Sequence, residues 1–287
     1  MKTILAIVLC AVLGFIPATD KMVFEVVMAP NHTYTSTTTI KNIFVIDIEA
    51  SEEILAAVKA NGMALPTKMN QESEMVSIVT TGARSDDGSI PVEIVVTNQE
   101  MRMTMNGQPM PGQVTATDDD PMKMTGRVFG KNELKLDSIT GGGADDIPNF
   151  EETMKASMEK MIQAVEFPAE PMGVGETFEQ RVPFDLPMPG VGVVQMNIVS
   201  VYKLKSFDDK EGIFDIEMSM EMRGEADTTN IEMTGEGDGV YVHNREKNNM
   251  SSTSSDLDMD MRMSINGMVM TMKGNSKTIM KMDIAAN

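Results

Sequence analysis

The side chains most able to do chemistry in this sequence are thioethers, because 31 of its 287 residues are methionine and tryptophan is absent. In an extended strand, alternate side chains point the same way at a spacing of about 6.5 to 7 Å. Many of these methionines are two residues apart, so we expect rows of sulfur atoms on one face of a sheet. The main MxM units are Met101, Met103 and Met105; Met218, Met220 and Met222; Met259, Met261 and Met263; and Met268, Met270 and Met272.

Three interpretations of these methionines are open. Methionine is flexible and polarizable, so it fills irregular cores, and the core interpretation comes first because the same strand faces must build the core. The twelve methionines are also candidates for lining a site for acyl chains or other apolar ligands, which requires a cavity of about 300 Å³ or more. Thioethers also select Cu(I), which gives the third interpretation.

The ionisable residues give weaker signals. The two histidines, His32 and His243, are far apart in sequence, so we predict no metal or cofactor site on them. The acidic ladder of Asp256, Asp258 and Asp260 lacks the spacing of an EF-hand loop. Such acids are typical of solvated strand faces that discourage edge-to-edge pairing.

No motif in the sequence indicates an enzyme, and no catalytic residue is predicted. The GVG triplets at residues 173–175 and 190–192 lie in proline-rich turns and lack the strand-to-helix context of a phosphate loop. A GxSxG elbow is absent, and the only cysteine is Cys10. The paired carboxylates of a glycosidase leave no local trace, but carbohydrate sites usually need aromatic platforms and only 5% of the residues are aromatic.

Strands must position these side chains, because apolar and polar residues alternate repeatedly after residue 70. Clean alternation is typical of antiparallel sheets with one solvated face. An Asn266-Gly267 hairpin turn and a turn at Gly274-Asn275 are predicted between strands. The predicted strands are residues 23–28, 33–48 with a break near Asn42, 75–81, 92–105, 194–204, 214–223, 231–243, 257–265, 268–272 and 278–284.

Two segments have the features of helices. Residues 51–61 have Ser51 as N-cap, acids in the first turn and Gly62 as terminator. Residues 149–166 carry an apolar stripe that includes Met154 and Met158, and end before Pro168. We expect each helix to lie on a sheet face or at the end of the sheet.

The predicted fold is mainly β: an antiparallel curved sheet or open barrel, with one amphipathic helix between two related halves and a short helix near 51–61. The predicted units are a signal peptide (1–18), an N-terminal β half (19–143), a connecting helix (144–167) preceded by a glycine-rich linker (141–146), and a C-terminal β half (168–287). Three short patterns recur in the same order and indicate duplication, with chance recurrence as the alternative. They pair Thr33 with Thr177, Gly88 with Gly212, and Met124 with Met233.

The N-terminal residues predict export. An apolar run at residues 4–16 follows Lys2 and precedes Ala18, as in a secretory signal peptide cleaved after Ala18. The run is too short for a membrane-spanning helix and no later segment approaches that length, so we predict no transmembrane segment in the mature chain. Lipidation of Cys10 is the alternative, although Leu9 is a poor residue before a lipidated cysteine. We expect a periplasmic, outer-envelope-associated or extracellular protein.

The net charge of −19 bears on partners. Such a chain repels phosphate backbones and anionic lipid headgroups, so nucleic acid is excluded as an expected partner.

Residues 171–178, 209–212 and 235–239 read PMGVGETF, DKEG and GEGDG. Around them the chain resembles a family of uncharacterised bacterial secreted proteins and lipoproteins, a domain of unknown function with GETW-like and GxG strand motifs. Phe178 stands where that family has tryptophan. The resemblance implies an envelope or secreted location and supplies no catalytic residue.

These observations predict a non-enzymatic extracytoplasmic binding protein. Its ligand would be a hydrophobic small molecule such as a lipid, or an envelope protein, by analogy of fold with the half-barrel lipid and lipoprotein carriers of bacterial envelopes. The alternative is a structural or interaction component of the envelope with no small-molecule site. A Cu(I)-binding, methionine-rich protein is the third candidate.

Overall fold

The computed structural model describes residues 21–60, 64–110, 121–130, 133–141, 152, 155, 156, 158, 159, 166–188, 192–226, 229–265 and 268–287. The predicted signal peptide, the 266–267 turn, residues 142–146 of the predicted linker and most of the predicted 149–166 helix lie outside the described residues. Within that helix, Glu152, Lys155, Ala156, Met158 and Glu159 are helical.

In the described part of the chain, one short continuous helix and fourteen strands follow one another, besides the helical residues just named. They are β1 (Lys21–Met22), β2 (His32–Glu49), α1 (Glu52–Ala60), β3 (Thr67–Thr81), β4 (Ile90–Met105), β5 (Gln108–Pro109), β6 (Met122–Phe129), β7 (Glu133–Thr140), β8 (Met172–Gly173), β9 (Thr177–Met188), β10 (Gly192–Phe207), β11 (Glu211–Ala226), β12 (Thr229–Asn244), β13 (Asn249–Ile265) and β14 (Met268–Ala286).

Twelve of these strands form one antiparallel sheet in the order β7-β6-β4-β3-β2-β14-β13-β12-β11-β10-β9, with β5 paired to β4, while β1 pairs with β8. The N-terminal and C-terminal strands form two meanders that meet where β2 pairs with β14, for example Tyr34 opposite Ile284. Strands β7 and β9 are the two edges, so the sheet is open. The predicted antiparallel β fold is confirmed.

Glycines bend this sheet toward one face. A Cβ at Gly237 would overlap the carbonyl oxygen of Asp256, and one at Gly274 would overlap that of Ile43. Gly126 and Gly239 are equally close to the backbone of the neighbouring strand. Glycine at such points allows strands to crowd together on one side, which is how long strands curl. The face that carries these glycines is therefore the concave face.

Two of the three buried clusters lie on the concave face toward the end where β2 begins. One buried cluster, which includes Ile94, Met124 and Leu134, joins β4, β6 and β7, and Met28 and Met158 pack against it. A second cluster joins β10 to β12 through Phe214 and contains Phe24. Residues 21–31, the N-terminal strap, therefore contact both clusters.

Both edges of the sheet are protected. At β7, the Glu159 carboxylate accepts the backbone N–H of Leu136 at 2.8 Å, and the Lys155 ammonium donates to the Asp137 carbonyl at 2.6 Å. At β9, Pro183 and Pro187 have no N–H to offer. Such features discourage edge-to-edge association, because they remove the free donors and acceptors that another strand would use.

The predicted strands omit β6, β7, β9 and the first eight residues of β3, and three further details of the prediction are wrong. Strand β1 ends at Met22, and residues 23–30 leave the sheet because Phe24 and Met28 are needed over the core. Strand β2 runs unbroken through Asn42. Strand β14 runs through the predicted Gly274-Asn275 turn, because this glycine serves the close approach to β2.

The α1 helix is confirmed, with a backbone bond from Leu55 N–H to the Ser51 carbonyl at 3.0 Å. Its expected packing on the sheet is not observed, since none of its residues is buried and Ile54 is 38% exposed.

The recurring patterns occupy matching places in the two meanders. In each half they fall at the first, third and fourth long strands. In the N-terminal half these places are β2, the turn before β4, and β6. In the C-terminal half they are β9, β11 and β12. The duplication and the division into halves stay predictions.

Candidate functional site

All twelve predicted methionines share the concave face. Residues that lie opposite one another in neighbouring strands point to the same side of a sheet, as do alternate residues within a strand. Across β11 to β14 and β2, the residues directly opposite one another on this face are Met222, Met233, Met261, Met272 and Ile46, in that order. One row away, Phe44 lies opposite Met69, which lies opposite Met105 of β4. The predicted rows of thioethers are therefore present.

These methionines form a half-buried surface more than a closed core. Met220 and Met222 are buried, at 9% and 7% exposure. The other ten are half-buried: Met101, Met103, Met105, Met218, Met259, Met261, Met263, Met268, Met270 and Met272. The prediction that these methionines share one face of the sheet is therefore correct, but the sequence pattern does not show how deeply that face is buried.

A continuous methionine row crosses five strands of this face. It consists of Met196, Met222, Met233, Met261 and Met272, on β10 to β14 in order. Around it lies a third cluster, in which Val194 and Ile231 are buried with Met222 while Met196, Met233, Met261 and Met263 pack against them. The row depends on cross-strand register, so the sequence pattern alone does not reveal it.

An aromatic cluster occupies the β9 side of the same face, and sequence reasoning missed it. Phe178 of β9 stacks on Tyr202 of β10, with ring centroids 4.8 Å apart and planes within 8°. Phe167 lies 5.0 Å from Phe178, and Phe24 lies edge-on to Phe214 at 4.9 Å. These residues come from distant parts of the chain, so no local pattern announces the cluster.

A cleft of about 530 Å³ opens beside the aromatic cluster. Its apolar walls are Phe24, Phe167 and Phe178, with Val26, Pro168 and Ala169. Its rim is charged and polar: Glu25, Glu166, Glu179, Gln180 and Arg181. Gln180 donates from Nε2 to the Glu166 carbonyl at 3.1 Å, and Arg181 pairs with Glu179 at 2.6 Å. We call this the aromatic cleft.

Two buried polar groups lie behind the cleft. His243 is 1% exposed, with its ring 5.5 Å from that of Phe167, and its Nδ1 has no hydrogen-bond partner. Burial, and then the charge of Arg245, lower the pKa of His243 to about 4, so the ring is neutral at pH 7. The Tyr241 hydroxyl is also unpaired, and burial raises its pKa well above the usual value.

In the part of the chain that the structure describes, the twelve methionines contribute little to the walls of the aromatic cleft and of three other clefts. Met218 and Met259 border depressions of about 520 and 570 Å³ that also have acidic walls, including Glu236. A further cleft of about 420 Å³ lies beside His32 and Tyr34. None of these, nor the aromatic cleft, is lined by more than one of the twelve methionines. Their role in ligand binding stays a prediction.

The acidic ladder of β13 is a structural feature of the opposite face. Asp256 pairs with Lys277 at 2.8 Å and Asp260 with Lys273 at 2.6 Å, while Asn275 donates to Asp258 at 2.9 Å. Among the residues that the structure describes, no group of three or more histidine, cysteine, aspartate or glutamate side chains could hold a metal ion. In the same part of the chain, no helix is long and apolar enough to cross a membrane.

Comparison with known proteins adds little to this geometry. No family model and no curated protein matches the chain. Among solved structures, an outer membrane channel from Pseudomonas putida is 7% identical with a TM-score of 0.28, over 90% of this chain and 97% of that chain. A mutant porin of Rh. blastica is 10% identical with a TM-score of 0.24, over 85% and 99%. TM-scores this low transfer neither fold nor activity, so the site must be interpreted from its own residues.

Proposed function

We propose that this chain is an exported, non-enzymatic binding protein that holds an apolar or amphiphilic small molecule in the aromatic cleft. The observation that carries the proposal is the cleft itself. Its volume of about 530 Å³ falls within the roughly 300 to 1,000 Å³ of small-molecule sites, and it combines aromatic walls with a few polar groups at the rim. A ligand's apolar part would contact Phe24, Phe167 and Phe178.

The charges at the rim favour particular headgroups. Glu25, Glu166 and Glu179 contribute three carboxylates against one guanidinium, from Arg181, which is already paired with Glu179. The chain as a whole carries −19. Like charges repel, so a carboxylate or phosphate headgroup is disfavoured at this rim. We therefore expect neutral or cationic amphiphiles to bind more tightly than fatty acids of the same length.

The residue types in the cleft support binding more than catalysis. Its lining residues include no histidine, cysteine, serine or threonine that could form a nucleophile and base pair. The envelope location rests on the predicted signal peptide and on the resemblance to secreted proteins and lipoproteins. We also propose membership of that family, since Phe178, at its tryptophan position, lies in the wall of the cleft.

A cleft-filling variant tests the proposal. Ala169 is exposed and lines the cleft, so Ala169→Trp would occupy the space without removing a core side chain. We expect it to weaken binding of the fluorescent apolar probe N-phenyl-1-naphthylamine at least tenfold. Ala60→Trp, at the exposed end of α1, is the matched control and should bind as the wild type does.

Displacement of the same probe by amphiphiles of equal chain length measures which headgroup the cleft prefers. Dodecylamine and dodecanol should displace it at lower concentration than dodecanoate. Probe binding that is equally strong in wild type and in Ala169→Trp would contradict the site. A folded wild-type protein that binds no probe and has a bare mass after purification from its own envelope would favour the structural or interaction component instead.

A further inference from the structure

The methionine row brings together thioethers that are far apart in the sequence. Met222, Met233 and Met261 lie on three consecutive strands, each directly opposite the next. Neighbouring strands are about 4.7 to 4.9 Å apart, and a methionine side chain has three rotatable bonds. Three neighbouring sulfur atoms in such a row can therefore turn toward one shared point above the middle strand.

We propose that Met222, Met233 and Met261 form a binding site for a soft monovalent cation, Cu(I), with Met196 and Met272 flanking it in the same row. Thioether sulfur is the softest neutral ligand in proteins, and soft ligands select Cu(I) over the harder divalent metals. The ligands need no deprotonation, so binding releases no proton from them. This site lies apart from the aromatic cleft and goes beyond the proposed function.

The surroundings of the row suit such an ion. Beside Met222 the surroundings are apolar: Val194 and Ile231 are 0% and 1% exposed and pack with it. Farther along the row, Met233 and Met261 are half-buried, so part of each side chain is accessible to solvent. The row is therefore bordered by buried apolar side chains at Met222 and is partly exposed at Met233 and Met261. The net charge of −19 attracts a cation to the protein as a whole.

The chain offers a matched control on the same face. Met69 and Met105 also lie opposite each other on neighbouring strands and are both half-buried. On the other side of Met69, however, the residue directly opposite it in β2 is Phe44 and not a third methionine. This site therefore has two neighbouring thioethers instead of three. It tests whether Cu(I) affinity depends on three thioethers in a row or only on the number of methionines in the protein.

The experiment is an anaerobic titration of the mature protein with Cu(I), in competition with a chromophoric Cu(I) chelator. Leucine keeps the apolar volume of methionine and loses the sulfur, so the fold should be kept. We expect one Cu(I) per chain in the wild type and at least a tenfold weaker affinity in the double variant Met233→Leu/Met261→Leu. The control Met69→Leu/Met105→Leu should match the wild type, and all three should keep the same far-UV circular dichroism.

X-ray absorption of the Cu(I) complex gives a second readout, for which we expect a first shell of sulfur alone. The proposal is overturned by a wild type that cannot compete with the chelator, by equal loss of affinity in the two double variants, or by nitrogen or oxygen ligands in the first shell. Binding of N-phenyl-1-naphthylamine should be unchanged in the Met233→Leu/Met261→Leu variant, which separates this proposal from that of the aromatic cleft.

Discussion

Replacing Gly212 with alanine tests how the N-terminal strap is held over the core. A Cβ at this position would overlap Cε1 of Phe24 and lie 2.9 Å from its Cζ, about 0.6 Å inside the ~3.5 Å at which carbon atoms pack best. Phe24 has little room to move, because it is 2% exposed and lies against Phe167 and Phe214. Overpacking of this kind costs about 1 to 3 kcal/mol.

A double-mutant cycle read by urea unfolding, followed by far-UV circular dichroism, isolates this contact. Gly212→Ala should lower the free energy of unfolding by about 1 to 3 kcal/mol in the wild type, and by less than about 0.5 kcal/mol in a Phe24→Ala background where the ring is gone. Gly82→Ala is the control, since its Cβ would meet nothing nearer than Pro91 at 3.5 Å. An equal loss in both backgrounds would refute the claim that Gly212 makes room for the Phe24 ring of the strap.

Three further predictions concern pH, curvature and the sheet edge. Burial, helped by Arg245, holds the pKa of His243 at about 4, so the unfolded chain binds the extra proton first as the pH falls. This ring should contribute a loss of about 2 kcal/mol of stability between pH 7 and pH 5, and the difference between wild type and His243→Phe in urea unfolding at the two pH values should show it. Gly274→Ala should cost about 1 to 3 kcal/mol in the same assay, because its Cβ meets the backbone carbonyl of Ile43; an unchanged stability would contradict this close approach. Glu159→Ala removes the acceptor for the Leu136 N–H of β7 and should promote self-association, measured by size-exclusion chromatography. An unchanged monomer fraction would contradict a role of Glu159 in protecting this edge.

The fold was predictable because its signals are local. Alternation of period two identified most of the long strands, although it missed β6, β7 and β9, and it placed the MxM units on one face without knowledge of their neighbours. The errors arose where tertiary contacts override a local rule. Gly274 resembles a turn residue, but it serves a close approach between β14 and β2. Residues 23–28 have a strand-like composition, but Phe24 fills a space left open by Gly212.

The candidate sites were only partly predictable, because both depend on which strands are neighbours and in what register. The methionine row needs the pairing of Met222 with Met233 and of Met233 with Met261, which no periodicity within one strand can give. The aromatic cleft joins Phe24, Phe167 and Phe178 across more than 150 positions of the chain. Of the 13 phenylalanines and tyrosines in the sequence, seven gather in the cluster beside this cleft, and that gathering is visible only after folding.

The central claim is that the aromatic cleft holds an apolar or amphiphilic ligand, and native mass spectrometry of the mature protein purified from its own envelope tests it most directly. We predict a bound small molecule with an apolar portion and a neutral or cationic head, present in the wild type and in Ala60→Trp and lost in Ala169→Trp. The same bound mass in all three proteins, or a bare mass in the folded wild type, would contradict the account.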